Sequence, residues 1–361
     1  MTDSGSITGI AASVLIVCIL FFSIFNPLFS YNTDFPVFYQ AASLILDPSA
    51  TAASVYDIEA LKKYAVPEKF TGKSAFLYSM PVAYALSPLA LMPYYAAKTV
   101  MIFMSFLAYL VAVMLILRMT AASGRWFVYP LALSCLWFPF IQDLRFGQVN
   151  SILLLFVSLA VYFARKEQFA LSGIVLAIAA LVKLFPVGIA LVMGLKNRRI
   201  LLVFALTFAL SFLIPGSLNW FPAIGNIHKI GLMPAYLFLR QFGIEWYVLY
   251  VISVAGITAF IAYRINDTNY LVLATLSIPA VFLVMPLVEY YHLTLMAFPC
   301  LFLLTSKDNA ISKTIALLSI VLIYLGIFMG NDVIFLGLLL PWAFIASMIH
   351  RLHYNLHAPN G

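Results

Sequence analysis

Long apolar runs with few charges recur along the whole chain, at 7–29, 76–92, 95–118, 127–140, 148–164, 169–182, 184–195, 200–214, 246–264, 270–285, 292–305, 311–329 and 333–349. A helix that crosses a bilayer needs about 20 apolar residues, because its backbone must satisfy its own hydrogen bonds where no water reaches. The pattern predicts an all-α, polytopic transmembrane protein with about 10–13 membrane segments, residues 1–361 forming a single integral membrane domain. Composition agrees: 64% of the 361 residues are hydrophobic and 9% charged, against roughly half and a quarter in a soluble domain. The first run, Ile7 to Phe29, has neither a basic leader nor a small-residue cleavage site, and is read as a retained helix.

Basic residues mark one side of the membrane. Arg118/Arg125, Arg165/Lys166, Lys196/Arg198/Arg199, Arg264, Lys307/Lys313 and Arg351 fall between runs, and the positive-inside bias assigns them to the cytoplasm. The opposite face then receives the loop 30–74, the Gln142 to Asn150 segment, the loop from Pro215 to Glu245 and the Glu289 to His292 turn, and with them most of the 13 acids. On this assignment 76–92 and 169–195 each enter and leave by one face, and prolines near their midpoints (Pro81, Pro88, Pro186) predict broken helices lining a cavity. The alternative is that one basic cluster faces outward and those helices are continuous. Within the first outer loop, Phe35, Phe38, Ala42 and Ile45 recur at helical spacing, and Ala60, Leu61 and Tyr64 mark a second short helix. Both are expected to lie along the interface.

Several function classes are excluded or disfavoured. The net charge of +7 is scattered between runs rather than gathered on one face, so no nucleic-acid partner is expected. Cys18, Cys135 and Cys300 sit inside apolar runs, without metal-ligand spacing, and read as packing residues. No Asp-x-Asp triplet, Gly-rich phosphate loop or histidine cluster is present, so neither a metal nor a cofactor is expected.

The residues able to carry chemistry gather at the outer boundary. Asp34 precedes Phe35 and Pro36, where an acid can cap a helix. It can equally act as a general base at the mouth of a cavity, although a capped carboxylate is the weaker base. Glu289 and His292, spaced i, i+3, share a helical face. Lys183 lies inside the apolar stretch LAIAALVKLFPVGIALV, where a charge is costly, and either snorkels to water or neutralises a phosphate. Arg145, in RFGQVN, offers a bidentate fork for phosphate, while Gln148 and Asn150 offer the amide donors and acceptors that suit sugar hydroxyls. The plainer reading of RFGQVN is a polar turn between two spans.

DFPVFYQAASLIL after the first span, FLYSMPVAYALSPLALMPYYAA, the stretch from RFGQVNSILLL to VKLFPVGIALVMGLKNRR, and EYYHLTLMAFPCLFLL occur in an order that resembles bacterial membrane glycosyltransferases of glycosyltransferase family 87. The resemblance runs from about Asp34 to Leu304. It implies the GT-C fold and polyprenyl-phosphate mannose as donor. It also implies that Asp34 is the catalytic base, that His292 matches the histidine at the outer end of a late span, and that Gln148, Asn150 and Lys183 are recurrent polar positions. The chain departs at Tyr78-Ser79-Met80-Pro81, where the family often has Tyr-Pro-Pro, and at Ala53-Ser54-Val55-Tyr56-Asp57. Both departures fall near the acceptor entrance, so the acceptor's identity is not carried over.

The expected function is therefore an inverting, metal-independent transfer of a hexose, mannose by resemblance, to a lipid-linked or cell-envelope glycan. The active site is expected on the extracytoplasmic side of the cell membrane, with the bilayer itself as a partner. Asp34 and His292 are the expected catalytic residues; Arg145, Gln148, Asn150, Lys183, Arg240 and Glu289 are expected to hold the donor's phosphate and sugar. The rival expectation is a transporter or flippase for lipid-linked sugars.

Overall fold

A computed structural model describes residues 34–67, 76–120, 125–225, 241–265, 269–285, 289–305, 310–329 and 331–357. The expected first span at 7–29, Cys18 and Arg240 lie outside the described residues. Every regular element described is helical. In chain order these are α1 (Phe35–Leu46), a 3-10 turn (Ala52–Tyr56), α2 (Ile58–Leu61), α3 (Met80–Leu86) running into a 3-10 turn (Ser87–Leu91), and α4 (Tyr94–Met119). Next come α5 (Arg125–Cys135), α6 (Phe138–Phe146), α7 (Asn150–Arg165), α8 (Phe169–Val182), α9 (Pro186–Gly194) and α10 (Arg198–Leu210). Two 3-10 turns (Ser211–Leu213 and Ser217–Asn219) lead to α11 (Trp220–Gly225), followed by α12 (Ile244–Arg264) and α13 (Tyr270–Val284). The chain closes with a 3-10 segment (Tyr290–Met296), α14 (Ala297–Thr305), α15 (Ala310–Met329) and α16 (Asn331–His357).

Prolines set many of the boundaries. Pro36, Pro81, Pro88, Pro139 and Pro186 stand in the first turns of their elements, where the missing N–H has no intrahelical partner to lose. The break expected in 169–195 is present at Lys183, whose backbone is extended (φ −150°, ψ 144°) between α8 and α9, whereas over 76–92 α3 passes without a gap into the Ser87–Leu91 turn. Such punctuation shortens the apolar runs. α4 and α12 are long and apolar enough to cross a bilayer singly, and the pair Arg198–Leu213 and Ser217–Ala223, bent by 107°, would make a third span. By length, then, two or three crossings stand among the described residues, where the sequence reading expects about 10–13. Asn150–Arg165, at 16 residues, is typical of the shorter helices; it extends about 24 Å, less than the hydrocarbon core of about 30 Å.

The helices pack in a continuous body. α7 lies between α4 and α8, α8 lies between α7 and α10, and α13 touches α9, α12, α14 and α16. Glycine sets the closest approach: a Cβ at Gly173 would sit 2.6 Å from the carbonyl oxygen of Ile200 and 3.0 Å from the nitrogen of Phe204. Neither backbone atom can rotate away. Gly173→Val is therefore expected to separate α8 from α10 and lower stability by about 1–3 kcal/mol, read as a fall in the thermal midpoint in detergent. On the outside, large apolar side chains stand uncovered, among them Leu202 (67% exposed), Ile252 (61%) and Phe260 (57%). α12 buries Val254, Thr258 and Ala262 while most of its length faces outward. Surfaces of this kind require an apolar surrounding, and the protein associates with the membrane.

In the first loop, α1 buries Phe35, Pro36, Val37, Phe38, Gln40, Ala41, Ala42 and Leu44 beneath α3 and the Ser87–Leu91 turn, and leaves Tyr39, Ser43 and Ile45 partly uncovered and Leu46 exposed. Gln40 Nε2 donates to the Tyr64 carbonyl at 2.9 Å, and the Tyr64 hydroxyl donates to Asp47 at 2.7 Å, so the rest of the loop closes over it. The second short element matches its expected contacts, with Leu61 buried and Ala60 and Tyr64 partly so. It is a 3-10 turn followed by one α turn, capped by Asp57, which accepts from Glu59 N–H at 2.9 Å.

Candidate active site

The site forms where the first loop docks on the joint between α6 and α7. α6 ends at Gly147 in the left-handed region (φ 64°, ψ 38°), a conformation in which a side chain is strained. A Cβ on Gly147 would lie 2.8 Å from the Cβ of Phe35. Glycine thus serves twice here, once for the turn and once for the approach of Phe35. The adjoining Asp34 is tied down by its own N–H, which donates to the Phe146 carbonyl at 2.9 Å.

Asp34 occupies the N-cap position of α1 but does not cap it with its side chain. Its Oδ2 instead accepts from Gln148 Nε2 at 2.7 Å. The other end of that amide is also occupied: Gln148 Oε1 accepts from the Tyr78 hydroxyl at 2.6 Å and from Lys183 Nζ at 3.5 Å. Two donors on the oxygen and one acceptor on the nitrogen fix which way the amide points, since a flip would set its NH2 against an ammonium. Lys183 Nζ donates further to Asn150 Oδ1 at 2.9 Å. Aromatic rings surround the ammonium, with Tyr291, Tyr78 and Phe185 centroids 5.2, 5.7 and 5.9 Å away. Such faces stabilise a cation that has left bulk water.

Burial raises the pKa of the half-buried Asp34 carboxyl above its ordinary value, while the Gln148 hydrogen bond and the charge of Lys183 act in the other direction. Glu289 is also raised, first by burial and then by the negative charge of Asp34. The two acids are thus near enough to feel one another. His292 is buried, and its Nδ1 accepts from the Glu289 backbone N–H at 3.0 Å. That bond assigns the proton of the neutral imidazole to Nε2. The ring packs edge-on against Tyr291 (4.7 Å) and Phe185 (5.1 Å). The expected acid and histidine therefore meet through backbone and ring, and aromatic contacts link the histidine to the surroundings of Lys183.

The model of glycosyltransferase family 87 matches residues 76–289 of the chain. The chain belongs to glycosyltransferase family 87. No curated protein matches it. As a family 87 protein it is a glycosyltransferase, and the matched stretch holds Tyr78, Gln148, Asn150, Lys183 and Glu289, whereas Asp34 and His292 stand outside it.

Of the residues singled out from the sequence of this family 87 protein, Asp34, Gln148, Asn150 and Lys183 are joined by hydrogen bonds, with Glu289 and His292 beside them. Arg145 is exposed on α6, two residues on from the fully buried Asp143 and so on the other side of the helix. Two members are not among the site residues expected from the sequence. Tyr78 holds Gln148 from across the loop, and Asp143 accepts four hydrogen bonds at the start of α7. The available signal for Asp143 was an acid followed at short range by Asn150-Ser151, a pair of residues that begins a helix. No group of three or more His, Cys, Asp or Glu able to hold a metal occurs among the described residues.

A pH prediction follows from the Asp34–Gln148 contact. A base works when ionised, so transfer should rise with pH through the Asp34 pKa. Gln148→Ala removes a hydrogen bond that favours the charged form, and the acid limb of the pH–rate profile is expected to move to higher pH. An unmoved limb in a folded variant would show that Asp34 does not set it.

Proposed function

We propose that this glycosyltransferase moves a hexose, mannose by family resemblance, from a polyprenyl-phosphate sugar to a lipid-linked or cell-envelope glycan. The reaction takes place at the extracytoplasmic face of a polytopic GT-C body in the cell membrane. One observation carries the reading. A carboxylate in position to cap α1 is turned away from that task and held by Gln148 beside a partly buried lysine ringed by aromatic side chains.

In the proposed step, the acceptor hydroxyl gives its proton to Asp34 as its oxygen bonds to the anomeric carbon of the donor. The bond from that carbon to the phosphate oxygen breaks, and the electron pair leaves with the polyprenyl phosphate. Attack opposite the leaving group inverts the anomeric configuration. Lys183 offsets the phosphate charge in a site largely shielded from water, with Arg145 and Arg240 kept as further cations on the sequence reading alone. Gln148 and Asn150 orient the groups, and His292 Nε2–H is a donor for a sugar or phosphate oxygen. The reading needs no metal, because positioning and fixed charge supply the acceleration.

The test uses the whole protein in proteoliposomes, with polyprenyl-phosphate mannose labelled in the sugar, a membrane glycolipid acceptor and a chelator. Label moving into the acceptor is the expected result. Label crossing the bilayer while still attached to its polyprenyl phosphate, with none in the acceptor, would overturn the reading in favour of a flippase.

A further inference from the structure

Asp143 lies on α6, fully buried, as are its partners Asn150 and Ser151. Its Oδ1 accepts from Asn150 N–H at 3.0 Å and from Asn150 Nδ2 at 2.7 Å; its Oδ2 accepts from Ser151 N–H at 2.7 Å and from Ser151 Oγ at 2.5 Å. The residue in the N-cap position of α7, Val149, has no side chain able to cap. Asp143 therefore supplies the cap from a neighbouring helix, where free N–H groups and the helix dipole favour a negative charge.

That much is structural, but the bond to Asn150 Nδ2 has a second effect. With its nitrogen committed to Asp143, the Asn150 amide can present only its oxygen to Lys183, 2.9 Å away. Lys183 in turn contacts the oxygen of Gln148, whose nitrogen holds Asp34. A chain of oriented groups runs from a residue remote from the reacting atoms to the carboxylate that takes the proton. We propose that Asp143 is a positioning residue for sugar transfer, fixing the Asn150 amide and through it Lys183 and the Gln148–Asp34 contact. The proposal rests on the reading of Asp34 as the base.

In Asp143→Asn, an NH2 replaces one carboxylate oxygen and faces either the Asn150 or the Ser151 donors. The Asn150 amide is then released to turn. The expected result is a loss of about 100-fold in kcat per folded molecule, the scale on which small misplacements act, with a lesser change in KM. The double variant Asp143→Asn/Asn150→Asp moves the carboxylate to position 150 and the amide to 143. It restores a donor and acceptor across the pair and leaves an acceptor facing Lys183, so at least about tenfold of kcat is expected to return. A second readout needs no turnover: acylation of Lys183 by an amine-reactive ester, followed by peptide mass spectrometry, is expected to be faster in Asp143→Asn and slow again in the double variant. Unchanged kcat per folded molecule, or unchanged Lys183 acylation, in Asp143→Asn overturns the proposal. Asp34→Asn measured alongside separates the two ideas, because continued transfer by that variant defeats the base assignment whatever the acylation of Lys183 shows.

Discussion

Asp34→Asn is expected to lower sugar transfer by about 100- to 10,000-fold, the range over which a positioned general base acts. The variant should remain folded, for two physical reasons. Asparagine has the same shape, and its carbonyl can still accept from Gln148 Nε2, now 2.7 Å from the carboxylate. The ionised carboxylate is also a burden on the folded state. Its pKa is raised on folding, so Asp34 favours the folded protein when protonated, and that contribution is lost as pH rises through the raised value. At neutral pH asparagine removes the cost of a half-buried charge, and the thermal midpoint is expected to stay level or rise. Loss of transfer with retained stability would assign Asp34 to chemistry, whereas full transfer by the variant would return it to a loop-fastening role.

Gly147→Ala is the second large effect, and it should damage stability and activity together. An alanine at φ 64° is strained by about 1–3 kcal/mol. Its methyl group would also stand 2.8 Å from the Cβ of Phe35, a fully buried side chain with little space to retreat. Relief requires the start of α1 to move off the α6–α7 joint, and Asp34, one residue before Phe35, moves with it. A shift of that kind breaks the alignment with Gln148, so kcat should fall by about 100-fold even in the molecules that remain folded. Gly256→Ala is the matched control: nothing lies within 4 Å of its added Cβ, and the substitution falls inside α12. It should leave transfer unchanged and stabilise the helix by about 1 kcal/mol. Equal losses from the two variants would remove the special place given to Gly147.

The parts of the site that can be read from sequence are those where a polar residue breaks an apolar background. Asp34, Gln148, Asn150 and Lys183 stand out for this reason, and so does the helix break at Lys183, announced by Pro186. The orientation of Asp34 was not legible, since Asp-Phe-Pro is as good a helix start as a catalytic loop; only its distance to Gln148 separates the two. Asp143 escaped because its partners lie across a turn, where no helical spacing points to them. Periodicity located α1 and its buried Phe35, Phe38 and Ala42, but not the further burial of Val37, Ala41 and Leu44, because the packing of α3 and the Ser87–Leu91 turn against this helix leaves no mark on its own spacing. Hydropathy counts apolar stretches well and their continuity poorly. The runs 169–182 and 184–195 do correspond to α8 and α9, because Pro186 marks the break between them, but neither helix is long enough to cross a bilayer alone.

The contact between Asp34 and Gln148 joins residues 114 positions apart in the chain. Closing so large a loop is entropically costly, so this contact is expected to form after the local pairing of α7 with α8. On the proposed reading, a nascent chain can therefore hold Gln148, Asn150 and Lys183 in their final places while still lacking its base. With that order, a copy whose first loop has not yet docked is expected to be inert towards the activated sugar, and competence to arrive with the seating of that loop.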